Sequence, residues 1–257
     1  MTGLSRSASP LSPPAPSGCF VTGTDTGVGK TVVMAALALC LRRRGVSVGV
    51  MKPVETGYGA SSAGPSDGER LRACLAVDDP DAFMSPYQFA APLAPLAAAR
   101  QVGAVISLDR IAEAYGRLAA RYRSVLVEGA GGLCVPLTDR DDMRDLIERL
   151  ALPVVLVGRC ALGGVNHALL TLEALQTRKI LVLALVLNRP LPHQAASDAD
   201  LQMASTVELL RERSGAPVLG PLPYVASLTE GGTAGVSELA HDPGIETLAD
   251  LISRNGS

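Results

Sequence analysis

The stretch CFVTGTDTGVGKTVV, residues 19–33, joins an apolar strand, a glycine-rich loop and the start of an apolar helix. A generic phosphate-binding loop has four residues between its first glycine and the closing Gly-Lys-Thr. Here five residues lie between the first glycine and Gly29. Gly27 and Gly29 allow backbone amides to face an anion at the helix N-terminus. Lys30 can reach terminal phosphates, and Thr31 offers a hydroxyl to Mg²⁺. The alternative is a glycine-rich turn with an incidental lysine, but the flanking strand and helix favour phosphate binding.

Short apolar runs without polar alternation recur along the chain, which is typical of parallel strands buried on both faces. They lie at residues 19–23, 46–51, 124–129, 153–158, 180–188 and 217–223. Between them, apolar residues recur at helical spacing over residues 30–44, 108–119, 143–150, 169–175 and 245–252. This alternation predicts an α/β fold with a doubly wound, mainly parallel sheet and helices on both faces.

Length and composition favour a single folded domain. The chain has 257 residues, 47% of them hydrophobic, which suffices for one core of the size common in α/β proteins. We expect residues 19–257 to form this domain. Residues 1–18 are rich in Pro, Ser and small residues and lack the apolar stretch of a secretory signal, so we expect a disordered leader.

Charge and cysteine content narrow the possible partners. A formal net charge of −2 provides no electrostatic attraction to nucleic acid or to an anionic membrane. No apolar run reaches the length of a membrane span. Five dispersed cysteines without a C-x-x-C pair are typical of reduced thiols in the cytoplasm. Three scattered histidines do not suit a zinc site, so any metal should be held by oxygen atoms. These observations favour small-molecule chemistry.

Polar residues follow the predicted strands at the edge where open α/β sheets bind ligands. Lys52 follows the second strand, and a second cation there would stabilise charge moving between donor and acceptor oxygens. Glu128, at the end of the third strand, favours organisation of a metal over a role as a surface carboxylate. Asn188, after the fifth, fits either a turn or a contact with a nucleotide base. Asp67 fits either a second metal ligand or a helix cap.

Two stretches interrupt the alternation of strands and helices. Residues 55–70 are rich in Gly and Ser and predict a mobile loop that leads into a short helix. Residues 83–99 carry three prolines among apolar and small residues, which predicts a rigid apolar wall. His167 begins an apolar helical segment, and we expect it to be packed or capping rather than catalytic.

Taken together, these motifs resemble the dethiobiotin synthetases, a family of P-loop NTPase type. The matching segments occur in family order over nearly all of the chain beyond the leader. They are FVTGTDTGVGKT (20–31), KPVETG (52–57), SD (66–67), LVEGAGGLCVPL (126–137), LGGVNHALLTLEAL (162–175), LVLN (185–188) and GPLPY (220–224). The five-residue spacing of the loop is the form that this family uses.

The resemblance implies an ATP-dependent ligase of biotin biosynthesis that forms C–N bonds, with Mg²⁺ as cofactor and ATP as co-substrate. CO2, supplied as bicarbonate, joins one amine of 7,8-diaminopelargonate as a carbamate. The carbamate attacks the γ-phosphate of the nucleoside triphosphate to form a carbamic-phosphoric anhydride. The second amine then closes the ureido ring and expels phosphate. The resemblance further implies a homodimer.

The resemblance also implies roles for individual residues. The catalytic residues would be Lys30, Lys52 and Thr56, with Thr56 hydrogen-bonding the carbamate. The metal set would be Thr31, Asp67 and Glu128. The nucleotide would contact Asp25, Thr26, Gly27, Val28, Gly29, Lys30, Thr31, Glu128, Asn188, Pro221, Leu222 and Pro223. The substrate would contact Thr26, Lys52 and Thr56, and its carboxylate would reach across the dimer interface to the helix N-terminus at Gly163, Gly164, Val165 and Asn166.

The chain departs from some relatives at three positions: Gly27 replaces Glu, Gly164 replaces a bulkier residue, and Arg189 follows Asn188 where others have an acidic or small residue. The main rival interpretation is a partitioning or membrane-positioning ATPase of the MinD/ParA type. Such proteins carry an additional lysine early in the loop, and residues 19–29 contain none. A small-molecule kinase or an amidotransferase-type synthetase is a further rival, although the latter would need an added nucleophile domain.

Overall fold

The fold was analysed in a computed structural model that describes residues 17–59, 65–189, 197–224 and 234–255. Its strands are β1 (Ser17–Gly23), β2 (Val48–Met51), β3 (Val54–Thr56), β4 (Tyr87–Phe89), β5 (Ser124–Gly132), β6 (Val154–Arg159), β7 (Val182–Asn188) and β8 (Val218–Leu222). Its helices are α1 (Lys30–Arg43), α2 (Asp67–Leu75), α3 (Asp81–Met84), α4 (Pro95–Gln101), α5 (Leu108–Ala119), α6 (Met143–Leu150), α7 (Gly164–Thr177), α8 (Ser197–Arg213), α9 (Ala234–Leu239) and α10 (Pro243–Asn255).

Six strands form one parallel sheet in the order β2-β5-β1-β6-β7-β8. One core cluster packs helices α1, α2, α9 and α10 against one face. The other packs α4, α5, α6, α7 and α8 against the opposite face. This confirms the predicted doubly wound α/β sheet. The chain adds β2 and β5 on one side of β1 and then β6, β7 and β8 on the other. The order of strands therefore reverses at β1, next to the glycine-rich loop, and open α/β sheets bind ligands at such a point.

Local signals in the sequence place several helix ends correctly. Ser107 is the N-cap of α5, and its side chain accepts a hydrogen bond from the Arg110 N–H. Gly45 has a φ of 79° directly after the end of α1, as expected of a glycine that terminates a helix. Helix α8 is not evident from the sequence because Leu201 and Leu209 lie on its exposed side, which disrupts the apolar stripe.

The structure contains a second, two-stranded parallel sheet of β3 and β4 that the sequence does not predict. Each strand has three residues, too few for a periodic pattern to emerge. The predicted loop over residues 55–70 is therefore wrong at its start, because residues 55 and 56 belong to β3. The short helix to which the loop was expected to lead is confirmed as α2, and residues 60–64 lie outside the described residues.

Strand β1 begins two residues before the expected domain boundary at residue 19. Ser17 and Gly18 pair with Ser124 and Val125 of β5. Gly18 is required there, since a Cβ would lie 2.2 Å from the Val125 carbonyl oxygen. Residues 17 and 18 thus belong to the sheet and not to the leader, and the rest of the expected leader lies outside the described residues. Among the helices that the structure describes, none is long and apolar enough to cross a bilayer.

Candidate active site

A cleft of about 720 Å³ opens at the carboxyl ends of β1, β2, β5 and β7. The predicted residues that line it are Thr26, Gly27, Gly29, Lys30, Thr31, Lys52, Thr56, Asp67, Glu128, Asn188 and Pro223. They come from segments far apart in sequence, and the parallel sheet brings them to one edge. The prolines and apolar residues of 92–95 form another wall of the cleft, as predicted for the proline-rich stretch.

The glycine-rich loop ends at the N-terminus of α1. Gly29 is the N-cap residue, with a φ of 97° and no side-chain cap. The first-turn amides of α1 are thereby left for an anionic ligand. Asn188 holds the loop, because its Nδ2 donates to the Val28 carbonyl at 2.9 Å. A Cβ on Gly29 would lie 2.1 Å from that nitrogen. Asn188 thus supports the glycine-rich loop, a role that neither sequence alternative anticipated. It also lines the cleft, and its contact with a nucleotide base stays a prediction.

Lys30 is nearly buried, and its side chain contacts the backbone of the glycine-rich loop. Its Nζ donates to the Asp25 carbonyl at 3.0 Å, and only 6% of the residue is exposed. Burial lowers the pKa of Lys30, and the nearby Lys52 ammonium adds to that effect, while Glu128 opposes it. A bound triphosphate would favour the charged form of Lys30.

Lys52 forms the centre of a buried charge cluster. Its Nζ forms an ion pair with Glu128 and lies 3.0 Å from Asp67 Oδ2. Burial alone would lower the pKa of Lys52, but Glu128 and Asp67 together hold it above its ordinary value. Burial raises the pKa of Glu128 against the opposing charge of Lys52. For Asp67, Lys52 outweighs burial and lowers the pKa. Lys52 thus stays cationic beside two acidic groups.

The donors around Thr31 suit a magnesium ion. The Thr31 hydroxyl donates to Glu128 Oε1 at 2.9 Å, and Glu128 Oε2 is buried without a hydrogen-bond partner among the residues that the structure describes. Asp67 Oδ2 lies 3.0 Å from Lys52 Nζ, and the Thr31 side chain also interacts with the Asp67 carboxylate. No group of three His, Cys, Asp or Glu side chains within the described ranges could hold a metal. Mg²⁺ typically takes one or two carboxylates together with substrate phosphates and water, so these oxygen donors fit it.

Several predicted site residues lie outside the cleft lining. Val28 and Leu222 are core residues with 0% exposure, so their side chains cannot contact a ligand and only their backbone could. Asp25 instead binds Arg159, with 3.3 Å between Arg159 Nη2 and Asp25 Oδ2. Pro221 also lies outside the lining.

The N-terminus of α7, where the substrate carboxylate is expected, is separate from the cleft. Residues 163–166 are absent from its lining. Gly164 is packed so closely that a Cβ would lie 2.3 Å from the Arg159 carbonyl oxygen. Asn166 is exposed on the first turn of the helix. His167 is exposed as well, so the packed alternative for His167 is wrong, and the capping alternative stays a prediction.

The structure adds residues that sequence analysis missed. Arg159, the last residue of β6, donates to the Thr26 carbonyl at 2.9 Å and so braces the loop. Its position at a strand end was a signal that could have identified it. Arg189 and Tyr224 line the cleft beside Asn188 and Pro223. Glu55 is nearly buried and also lines the cleft, and no feature of the sequence marked it.

Comparison with known proteins shows similarity over most of the chain. Residues 17–231 match the model of the AAA domain family AAA_26. Proteins named ATP-dependent dethiobiotin synthetase BioD are similar in sequence. That of Anaeromyxobacter dehalogenans (strain 2CP-C) is 51% identical over 70% of this chain and 80% of its own length. That of Thermodesulfovibrio yellowstonii is 39% identical over 83% and 91%, respectively.

Among solved structures, the MinD cell division protein of Aquifex aeolicus has a TM-score of 0.57 and 14% identity, over 93% of this chain and 97% of its own. A ParA family ATPase from Chlorobium tepidum TLS has a TM-score of 0.55 and 14% identity, over 93% and 99%. At such low identity these similarities show the fold alone, which is that of the P-loop NTPases.

Proposed function

The chain belongs to the ATP-dependent dethiobiotin synthetase family, and we propose that it forms the ureido ring of dethiobiotin from 7,8-diaminopelargonate, CO2 and ATP. The observation that carries this proposal is the pair of nearly buried lysines, Lys30 and Lys52, in one cleft with the Thr31 and Thr56 side chains. Free thiols at all five cysteines accord with the proposed cytoplasmic location.

The proposed reaction needs positive charge between two anions. A carbamate is a weak nucleophile and is repelled by the γ-phosphate that it must attack. Lys30, at the phosphate loop, would neutralise the triphosphate. Lys52, held by Glu128 and Asp67, would bridge the carbamate and the phosphoryl group. Thr56 lines the same cleft and would donate its hydroxyl to the carbamate.

The chemistry would then proceed in two displacements. A carbamate oxygen attacks the γ-phosphorus and the bond to the β-phosphate oxygen breaks, which releases ADP. The second amine attacks the carbamoyl carbon of the mixed anhydride, loses a proton and expels inorganic phosphate. Thr31, Asp67 and Glu128 would hold Mg²⁺, which when bound supplies charge neutralisation at the phosphate oxygens. The amide-lined start of α1 would bind the phosphates.

We further propose that the active form is a homodimer. In this arrangement the substrate's distal carboxylate would bind the first turn of α7 in a second subunit. The separation of residues 163–166 from the cleft is consistent with a subsite that serves a partner chain. Exposed Leu162 and Leu170, on either side of that turn, provide apolar surface for such a contact.

Dependence of phosphate release on the diamine tests the proposal. Purified protein with ATP, Mg²⁺, [¹³C]bicarbonate and diaminopelargonate should release phosphate and form labelled dethiobiotin, and omission of the diamine should stop both. The labelled product is detected by mass spectrometry. Phosphate release that continues without the diamine would favour a switch ATPase of the MinD/ParA type.

Replacement of Lys52 tests its assigned role. Lys52→Met should lower kcat by roughly 10²–10³-fold, the loss expected for one electrostatic donor, and should leave ATP binding within a few-fold. Lys179→Asn is the matched control, since Lys179 is exposed and precedes β7 at the opposite edge of the sheet. Full turnover by Lys52→Met would refute the bridging role. Because the variant leaves Glu128 unpaired, folding is checked by thermal unfolding.

A further inference from the structure

Glu55 is a buried acid that the proposed reaction does not use. It is the middle residue of β3, with 3% exposure. Glu55 is among the residues that line the cleft, together with its neighbours Val54 and Thr56, and its carboxylate is directed toward the start of α2. There Glu55 Oε1 accepts a hydrogen bond from the Gly68 N–H at 2.9 Å. Gly68 directly follows Asp67 at the start of α2.

The fit between Glu55 and the start of α2 is close. A Cβ on Gly68 would lie 3.1 Å from Glu55 Oε2 and 3.0 Å from Ser85 Oγ. Glu55 Oε2 is itself buried and accepts no hydrogen bond from any residue that the structure describes. Burial of an unpaired carboxylate oxygen is costly and calls for an explanation.

The capping of α2 does not explain why the Glu55 carboxylate is buried at this position. The helix already has a complete capping box, in which the Ser66 hydroxyl accepts from the Glu69 N–H and the Glu69 carboxylate accepts from the Ser66 N–H. What Glu55 adds is a direct tie between β3, which carries Thr56, and the backbone next to Asp67.

We propose that Glu55 is a positioning residue that fixes Asp67 at the magnesium site in register with Thr56. The inference rests on the proposed function for the role of Asp67 as a metal ligand. Residues that hydrogen-bond a metal ligand or its backbone orient that ligand, and their loss typically weakens metal binding 10–100-fold. Without the hydrogen bond to Gly68, the start of α2 is free to shift, and the Asp67 carboxylate shifts with it.

The Mg²⁺ dependence of nucleotide binding tests this proposal without turnover. Binding of the non-hydrolysable analogue AMP-PNP is measured by calorimetry with and without Mg²⁺. In the parent protein Mg²⁺ should tighten binding of the analogue. Glu55→Asp, whose side chain is one methylene shorter, should reduce the ratio of the AMP-PNP affinities with and without Mg²⁺ about tenfold. Glu55→Gln should retain most of it, because the amide oxygen can still accept from the Gly68 N–H.

A double variant distinguishes positioning from general stabilisation. If Glu55 acts through Asp67, then Glu55→Asp should cause no further loss in an Asp67→Asn background. Glu69→Ala is the control, because it breaks the capping box of the same helix; it should lower the unfolding temperature and leave the Mg²⁺ effect in place.

The proposal would be overturned if folded Glu55→Asp kept the full Mg²⁺ effect on AMP-PNP affinity. It would also be overturned if Glu55→Asp reduced that effect further in the Asp67→Asn background, or if Glu69→Ala reduced it as much as Glu55→Asp does. Absence of any Mg²⁺ effect in the parent protein would overturn it as well. Mg²⁺-tightened binding without diamine-dependent phosphate release would contradict the proposed function and leave the positioning role standing, so the two failures are distinguishable.

Discussion

At the scale of single residues, burial gives Lys30 and Lys52 opposite properties. Lys30 has a backbone carbonyl as its partner, and desolvation lowers its pKa from the ordinary value of 10.5. Lys52 has two acidic partners that hold its pKa above that value. Between the lowered pKa of Lys30 and its ordinary value, the folded protein therefore loses a proton that the unfolded chain still holds.

This shift predicts opposite pH trends for stability and for nucleotide binding. The unfolded chain binds more protons in that window, so the Lys30 contribution to the free energy of unfolding rises with pH. Triphosphate binding requires the ammonium, so affinity should fall as the pH rises through the lowered pKa. Titration of AMP-PNP from neutral to alkaline pH measures this fall, and thermal unfolding measures the stability trend.

Lys30→Arg tests whether deprotonation of Lys30 causes the alkaline loss of affinity. A guanidinium stays protonated over the whole window, so the alkaline loss of affinity should disappear in the variant. Lys179→Asn should keep the alkaline loss. An unchanged alkaline loss in Lys30→Arg would assign it to another group.

At the scale of elements, two glycines of one loop have different reasons to be glycine. Gly27 and Gly29 both have positive φ, 71° and 97°. A Cβ at Gly27 would meet nothing within 4 Å, whereas a Cβ at Gly29 would meet the amide of Asn188. The open space at Gly27 is consistent with the glutamate that some relatives carry there.

We expect Gly29→Ala to destabilise the protein and to lose nucleotide binding, because it combines backbone strain with a clash at the start of α1. Gly27→Ala should lower the free energy of unfolding only by the cost of backbone strain, roughly 1–3 kcal/mol. Thermal unfolding and AMP-PNP binding compare the two variants. The combination Gly29→Ala with Asn188→Ala should recover part of the stability, since it removes the clashing amide. Equal losses in the two single variants would exclude the clash as the cause.

The elements predicted from sequence are those with a long or locally marked pattern. The strands of the large sheet are continuous apolar runs, and α5 carries an N-cap serine and an apolar stripe. Strands β3 and β4 have no such signal, since their pairing depends on contacts between residues more than thirty positions apart in the chain. The role of Glu55 depends on that pairing, which explains why sequence analysis missed it.

At the scale of the whole molecule, strand-end position identified much of the cleft from sequence. Lys52, Glu128 and Asn188 each follow a buried strand, and the parallel sheet brings them together as predicted. Which side chains pair within the cleft was not predictable, because Lys52–Glu128 and Asn188–Val28 are contacts between remote segments. The substrate-tail residues 163–166 lie outside the cleft, and their role stays a prediction that depends on assembly.

Mixing two inactive variants tests the proposed shared site. Lys52→Met disables the cleft. Asn166→Asp places a negative charge in the first turn of α7, which favours the helix and should repel the substrate carboxylate, whereas Asn166→Ser is the neutral control. If each site joins one chain's cleft to its partner's α7, a heterodimer of the two variants contains one intact site.

When equal amounts of the two variants exchange subunits at random, half of the dimers contain one chain of each variant. Each such dimer has one intact site of two, so about a quarter of the parent activity should return. Each variant alone should stay nearly inactive in diamine-dependent phosphate release, with a raised KM for the diamine as the signature of Asn166→Asp. Sedimentation of the mixture verifies that dimers have formed and exchanged. If cleft and α7 serve the same chain, every mixed dimer carries two defective sites, and mixing should return no more than the sum of the separate activities.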